Sequence, residues 1–190
     1  MKILFASHNN HKLKELQSIM PSPFVVSNLN ELEDFEEIEE SGTTLEENAL
    51  LKARIVYNKY NCNVVADDTG LEIDALDGAP GVYSARFAGE ENDSLKNMEK
   101  VLDLLKSKSN RKAQFKTVMA LIIDGKEHIF EGVVKGQISE KMYGDNGFGY
   151  DPIFLPEGYS HTFAEMSLEM KNKISHRAIA LNKLVEFLKK

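Results

Sequence analysis

At 190 residues, with 42% hydrophobic and 28% charged residues, the chain has the composition of a single globular domain long enough to bury a sizeable core. A net charge of −7 and a pI near 5.3 exclude a protein built to grip long nucleic acid, which needs a basic face, but leave room for a small phosphorylated ligand. No apolar run is long enough to cross a membrane, and the lone Cys62 allows neither an intrachain disulfide nor a cysteine-based zinc site, so a cytoplasmic location is expected.

The start, Met1 to Ala6, is too short for a signal peptide and reads as a first strand. Leu13, Leu16, Ile19 and Met20 then recur at helical spacing until Pro21 and Pro23 end the helix. The acidic run Glu31 to Glu40 reads as a solvated loop, apart from its last residues beside Ser41-Gly42-Thr43. Thr44 and Glu47 fit a capping box for a second helix, with Ala49, Ala53, Val56 and Tyr60 on one face and Lys52 and Arg54 as charges of open role. Val64-Val65-Ala66 reads as a buried strand ended by a turn at Asp67-Asp68-Thr69-Gly70. Leu71 to Ala75 alternates as the next strand, and Gly78-Ala79-Pro80-Gly81 breaks it.

Asp93-Ser94 can cap a third helix that buries Leu95, Met98, Val101, Leu102 and Leu105. Phe115 to Asp124 and Glu127 to Lys135 read as a β-hairpin turning at Asp124-Gly125-Lys126. Ser167 opens a short helical turn, and the last helix starts at Ser175 and buries Ala178, Leu181, Leu184, Val185 and Leu188. The order β-α-β-α-β-β, helix, hairpin, strand and closing helices is a mixed α/β layout with parallel and antiparallel pairings. No internal repeat or linker divides it.

Adjacent carboxylates at the end of an apolar strand can hold a divalent cation and take a proton from water, although Asp and Gly also make ordinary solvated turns. Ser7, His8, Asn9, Asn10 and Lys12 at a strand-to-helix turn suit phosphate groups; alternatively, Asn simply caps the helix and Lys12 is exposed. Neither a Gly-x-x-x-x-Gly-Lys-Ser/Thr loop nor a Gly-x-Gly-x-x-Gly fingerprint follows the first strand, so phosphate handling falls to scattered lysines, helix starts and a metal. Gly147-Phe148-Gly149-Tyr150-Asp151-Pro152 offers close backbone approach and a ring for stacking. Arg177 near the start of the last helix opposes the helix dipole, which calls for a nearby anion or carbonyl.

Together these strings resemble the inosine triphosphate pyrophosphatase family. The matches are Ser7 to Lys12, Glu40 to Ala49, Ala66 to Glu72, Asp74 to Arg86, Gly147 to Phe154 and Lys171 to Arg177, in family order from the first strand to the last helix. The resemblance implies an α/β fold with a mixed central sheet flanked by helices, in two lobes with an active-site cleft between them, forming a single domain over residues 1–190. It also implies a cytoplasmic homodimer, with neither nucleic acid nor membrane as partner. Its substrates would be inosine, deoxyinosine and xanthosine triphosphates, hydrolysed with Mg²⁺ to the monophosphate and pyrophosphate. By that match Asp68 is the general base and a metal contact, and Glu40 helps hold the metal. Ser7, His8, Asn9, Asn10, His11, Lys12 and Lys52 grip the triphosphate, and Thr69 touches the substrate near the reacting phosphate. Phe148, Gly149, Tyr150, Asp151, Lys171, His176 and Arg177 enclose the base.

The sequence departs from the family pattern at Ser7, often Thr, at Thr69, often Ser, and at His8, often Gly. Two rivals stand beside this reading: an enzyme of the same fold aimed at pyrimidine or modified nucleotides, and a nucleotide-binding module without turnover. The carboxylates Glu40, Asp67 and Asp68 argue against a pure binder, which gains nothing from negative charge beside phosphates unless a metal lies between.

Overall fold

Lys2–Phe5 forms β1 and Val25–Asn28 forms β2, parallel neighbours joined through α1, Asn10–Ile19, in a computed structural model that describes residues 1–89 and 91–190. The helix α1 starts where Asn9, in an extended conformation, accepts hydrogen bonds from the backbone N–H groups of His11 and Lys12. Thr44 and Glu47 form the expected capping box at the start of α2, Leu45–Tyr60. The next strand, β3, is Val64–Ile73, and Pro80–Gly81 forms the short β4 that pairs antiparallel with Leu71 and Glu72. Asp67-Asp68-Thr69-Gly70 is therefore no turn. It is the middle of a ten-residue strand whose carboxylates are buried, and the charges that make this tolerable come from distant parts of the chain.

Asp93 caps α3, Ser94–Leu104, as expected, but Leu95 is 52% exposed because it sits in the first turn, off the face that buries Met98 and Val101. Lys112–Ile123 and Lys126–Ile138 form β5 and β6 about an Asp124-Gly125 turn, a longer hairpin than the sequence predicts. Phe154–Pro156 forms β7, antiparallel to β6. Ser167 caps α4, Leu168–Ile174, and α5, His176–Leu188, follows directly. The sheet runs β2-β1-β3-β5-β6-β7, with β4 beside β3 and β1 parallel to both its neighbours, a mixed α/β fold. Among the described residues no helix is long and apolar enough to cross a membrane.

The chain divides into two compact units, neither continuous in sequence. The first comprises Met1–Asp68, Thr117–Gly132 and His176–Lys190, and the second Thr69–Lys116 and Val133–Ser175. In the first, α1 and α5 cover a core of Ile3, Phe5, Leu16, Val65, Met119, Leu121, Leu181 and Leu184. In the second, Leu71, Ile73, Val101, Phe115, Phe154 and Phe163 form a separate cluster, with Phe115 and Phe154 at a ring distance of 4.6 Å. The strands β3, β5 and β6 supply residues to both cores.

Candidate active site

Side chains alternate along a strand, so Asp67 and Asp68 leave β3 on opposite faces. Asp67 shares its face with Val65, whose neighbours in the first unit's core come from α1 and α5. Lys12 Nζ of α1 donates to its Oδ1 at 3.0 Å and Arg177 Nε of α5 to its Oδ2 at 3.2 Å. The other end of the Arg177 guanidinium donates to Glu15 on α1 at 2.5 Å. Asp67, Glu15 and Arg177 are at most 4% exposed, so a chain of alternating charges is buried across β3, α1 and α5. Burial pushes the Asp67 carboxyl up, but Lys12, Arg177 and Lys52 outweigh that and hold it well below the usual carboxylate range. The anion that the position of Arg177 requires is thus the protein's own pair of carboxylates.

Asp68 faces α2 instead. Asn48 Nδ2 donates to its Oδ2 at 3.2 Å, and Lys52 Nζ lies 3.4 Å from its Oδ1 while also donating to Glu40. Burial raises the Asp68 pKa; Lys52 opposes this, and the neighbouring negative charge of Glu40 adds to it, leaving the group above its ordinary value. Lys52 in turn is driven down by burial and up more strongly by Asp68 and Glu40, so it stays an ammonium. Adjacent carboxylates therefore divide the work: Asp67 is a fixed counter-ion, and Asp68 is the more basic of the two.

Asn48 was not legible as a site residue, although it is fully buried. Its Oδ1 accepts from the backbone N–H of Gly42 at 2.8 Å, which turns its amide donor toward Asp68. Gly42 has to be glycine for this approach, because a Cβ there would lie 2.6 Å from Asn48 Oδ1. Glu15 was equally hidden, since a glutamate within a helix reads as a solvated charge.

At the start of α1, Asn9 is the cap and Ser7 Oγ accepts from the Asn9 N–H at 3.1 Å. Asn10 Oδ1 accepts from Asn28 and Asn30, and His11 is exposed. His8 Nε2 lies 2.8 Å from the carbonyl oxygen of Asp34. Capping by Asn9 thus holds, whereas Lys12 is not a simple surface charge. Of the charges left open on α2, Lys52 is the buried one and Arg54 pairs with Glu127 at the surface.

In the second unit, Lys171 of α4 donates to Asp151 Oδ2 at 2.7 Å, and both are 3% exposed. The same oxygen accepts from the Phe148 N–H at 2.8 Å, and Lys171 Nζ lies 4.8 Å from the Phe148 ring centre. Gly147 has φ +76° and a Cβ there would fall 2.0 Å from Asp151 Oδ2, so the loop closes on its carboxylate only with glycine. Tyr150 corrects the sequence reading. It belongs to the second unit's core, and its hydroxyl donates to the Ser84 carbonyl at 2.7 Å, so it braces the motif from behind rather than presenting a ring to a ligand. Burial pushes its phenol pKa far up. Thr69 is half-buried on β3 in this unit, Gly149 is half-buried, and His176 is buried at the start of α5 in the first.

Among the described residues no group of three or more His, Cys, Asp or Glu side chains gathers at metal-ligand spacing. Asp68 and Glu40 do converge on the same Lys52 ammonium, and their hard oxygen donors suit Mg²⁺, which completes its shell with water and phosphate oxygens. The donor set therefore fits Mg²⁺.

A model of the Ham1 family matches residues 3–187. The chain belongs to the Ham1 family. It is 50% identical over 188 residues to a dITP/XTP pyrophosphatase of Flavobacterium johnsoniae, covering 99% of this chain and 98% of that one. It is 49% identical over 189 residues to a dITP/XTP pyrophosphatase of Bacillus subtilis, covering 97% and 96%. Its fold is similar to the Staphylococcus aureus Ham1 protein, with a TM-score of 0.89 and 43% identity over 100% of this chain and 98% of that chain. A HAM1 protein from Coxiella burnetii gives a TM-score of 0.91 at 38% identity, with the same coverage. The family expected from the sequence strings agrees with these Ham1 relatives, those of F. johnsoniae and B. subtilis being dITP/XTP pyrophosphatases.

Proposed function

We propose that this Ham1 protein hydrolyses deoxyinosine, inosine and xanthosine triphosphates to the monophosphate and pyrophosphate. The observation that carries the reading is the division of Asp67 and Asp68, which sets a more basic carboxylate beside a lysine and a second carboxylate. Asp68 takes a proton from the water that attacks the α-phosphorus, and Asn48 holds its far oxygen so that the near one faces the reaction. Lys12 and Lys52 carry the positive charge for the phosphates, and the start of α1 adds its dipole. Substrate phosphates would compete with Asp67 and Asp68 for these ammonium groups, and that exchange leaves Asp68 freer to act as a base.

Glu40 and Asp68 would hold Mg²⁺, which when bound neutralises the leaving pyrophosphate and acidifies a bound water. For the base we propose Phe148, Gly149, Asp151, Lys171, His176 and Arg177, with Tyr150 in support. Donors fixed by ion pairs suit the 6-keto oxygen of hypoxanthine or xanthine. A 6-amino group would set a donor against these donors in place of an acceptor, at about 1–3 kcal/mol each, roughly ten- to a hundredfold in selectivity. A cytoplasmic homodimer belongs to the same reading, and sedimentation at micromolar concentration measures the dimer.

The deciding assay supplies inosine, xanthosine, guanosine, adenosine and pyrimidine triphosphates with Mg²⁺ and identifies the released phosphorus species. Pyrophosphate from the first two, with little from the others, is the expected result. Orthophosphate would move the attack to the γ-phosphorus and overturn the mechanism. Binding without release would leave a nucleotide-binding module.

A further inference from the structure

The acidic run resolves into a fastened segment. Residues 34–40 have no regular secondary structure, and of these only Asp34, Ile38 and Glu40 are even half-buried. Asp34 is tied on several sides. Its carboxylate accepts from Tyr60 Oη at 2.6 Å, pairs with Lys59 Nζ at 2.9 Å and accepts from the Glu36 N–H at 3.2 Å, and its N–H donates to the Leu29 carbonyl at 3.2 Å. Its carbonyl oxygen accepts from His8 Nε2 at 2.8 Å, and because a carbonyl only accepts, that nitrogen carries the proton. Asn30 Nδ2 donates to the His8 carbonyl at 2.9 Å, closing the connection back to the loop before α1. At the far end, Glu40 meets Lys52, about two turns before Lys59 on the same helix, and the Gly42 N–H donates to Asn48.

A carboxylate on an irregular exposed segment reaches a defined place only if the segment is pinned on both sides of it. We infer that His8 is a positioning residue: through Asp34, it and Tyr60 clamp the segment that delivers Glu40, and His8 does not contact the triphosphate. The inference rests on the proposed role of Glu40 toward Mg²⁺. It also accounts for a histidine at this position. A glycine in its place would leave the Asp34 carbonyl without this donor.

The test compares His8→Ala, His8→Gln and Tyr60→Phe, with Glu40→Gln as the reference. Hydrogen exchange of residues 34–40 is measured on metal-free protein, and the Mg²⁺ half-saturation and substrate KM are measured by turnover. Loss of one hydrogen bond in His8→Ala or Tyr60→Phe is expected to speed exchange in the segment and raise the Mg²⁺ half-saturation roughly three- to tenfold. The KM at saturating Mg²⁺ should stay unchanged. Gln places an N–H near the position of Nε2, so His8→Gln should restore both readouts. Wild-type exchange with a raised KM in His8→Ala would make His8 a phosphate contact and overturn the inference, and so would faster exchange with unchanged Mg²⁺ demand. If Glu40→Gln itself leaves the Mg²⁺ demand unchanged, the error lies in the metal assignment of Glu40; the clamp then has no catalytic purpose and the inference falls with it, whatever the exchange shows.

Discussion

Asp67 and Asp68 are the same residue type on adjacent positions, so their difference comes entirely from the faces on which they emerge. Asp68→Asn removes the proposed base while keeping shape and the Asn48 contact. Turnover should fall by about 10²–10⁴, the usual worth of general-base catalysis, with substrate binding and melting temperature retained. An active Asp68→Asn protein would dismiss it as the base. Asp67→Asn acts on the fold instead. It strips Lys12 and Arg177 of a buried partner, and breaking a buried pair from one side costs about 3–5 kcal/mol, measurable as a lowered urea midpoint. Arg177 is a buried counter-ion to Asp67 and Glu15, and the proposed function also gives it a part in recognising the base. Arg177→Lys keeps the positive charge but loses the fork that spans Asp67 and Glu15, so discrimination between inosine and adenosine triphosphates should shrink more than turnover does. Unchanged discrimination would leave Arg177 as a counter-ion alone.

At the scale of elements, helix starts were legible because their signals are local: Asn9, Thr44, Asp93 and Ser167 all cap where the sequence places them. The strand β3 was misread for the opposite reason. Its apolar pattern stops at Asp67, and what continues the strand is a set of cations and an amide 16, 20, 55 and 110 residues away. The acidic run is the irregular, mostly exposed segment its charge density marks, with Glu40 singled out beforehand; what charge density could not show is that Asp34 meets Tyr60, Lys59 and His8. That segment carries a pH signature. Hydrogen bonds from Tyr60 and Lys59 lower the Asp34 carboxyl from its ordinary 3.8 to about 2. A carboxyl depressed in the folded state contributes stability that is complete above its ordinary value and lost as the pH falls through the folded one. Between about pH 4 and pH 2, wild-type stability should therefore fall more steeply than that of Asp34→Asn, read as urea midpoint against pH. Parallel curves would show that Asp34 is not fastened in solution.

For the whole molecule, the sequence reads as one domain with no linker, and the two compact units explain why no boundary was visible. Each is assembled from separated segments, and β3, β5 and β6 pass through both, so there is no stretch of chain at which composition could change. Continuity of these strands also sets the cooperativity. Val65 belongs to the core of the first unit and Leu71 to that of the second, on one unbroken strand. A unit that unfolded alone would have to break the order of β3, β5 and β6 partway along each strand. Native-state hydrogen exchange at rising urea should therefore give the amides of Val65 and Leu71 the same opening free energy, converging on the global value. Opening of Leu71 well before Val65 would make the units separable and the single-domain reading wrong. A shared value would also mean that a core truncation such as Phe163→Ala, costing about 3–5 kcal/mol, lowers the protection of Val65 in the other core by the same amount.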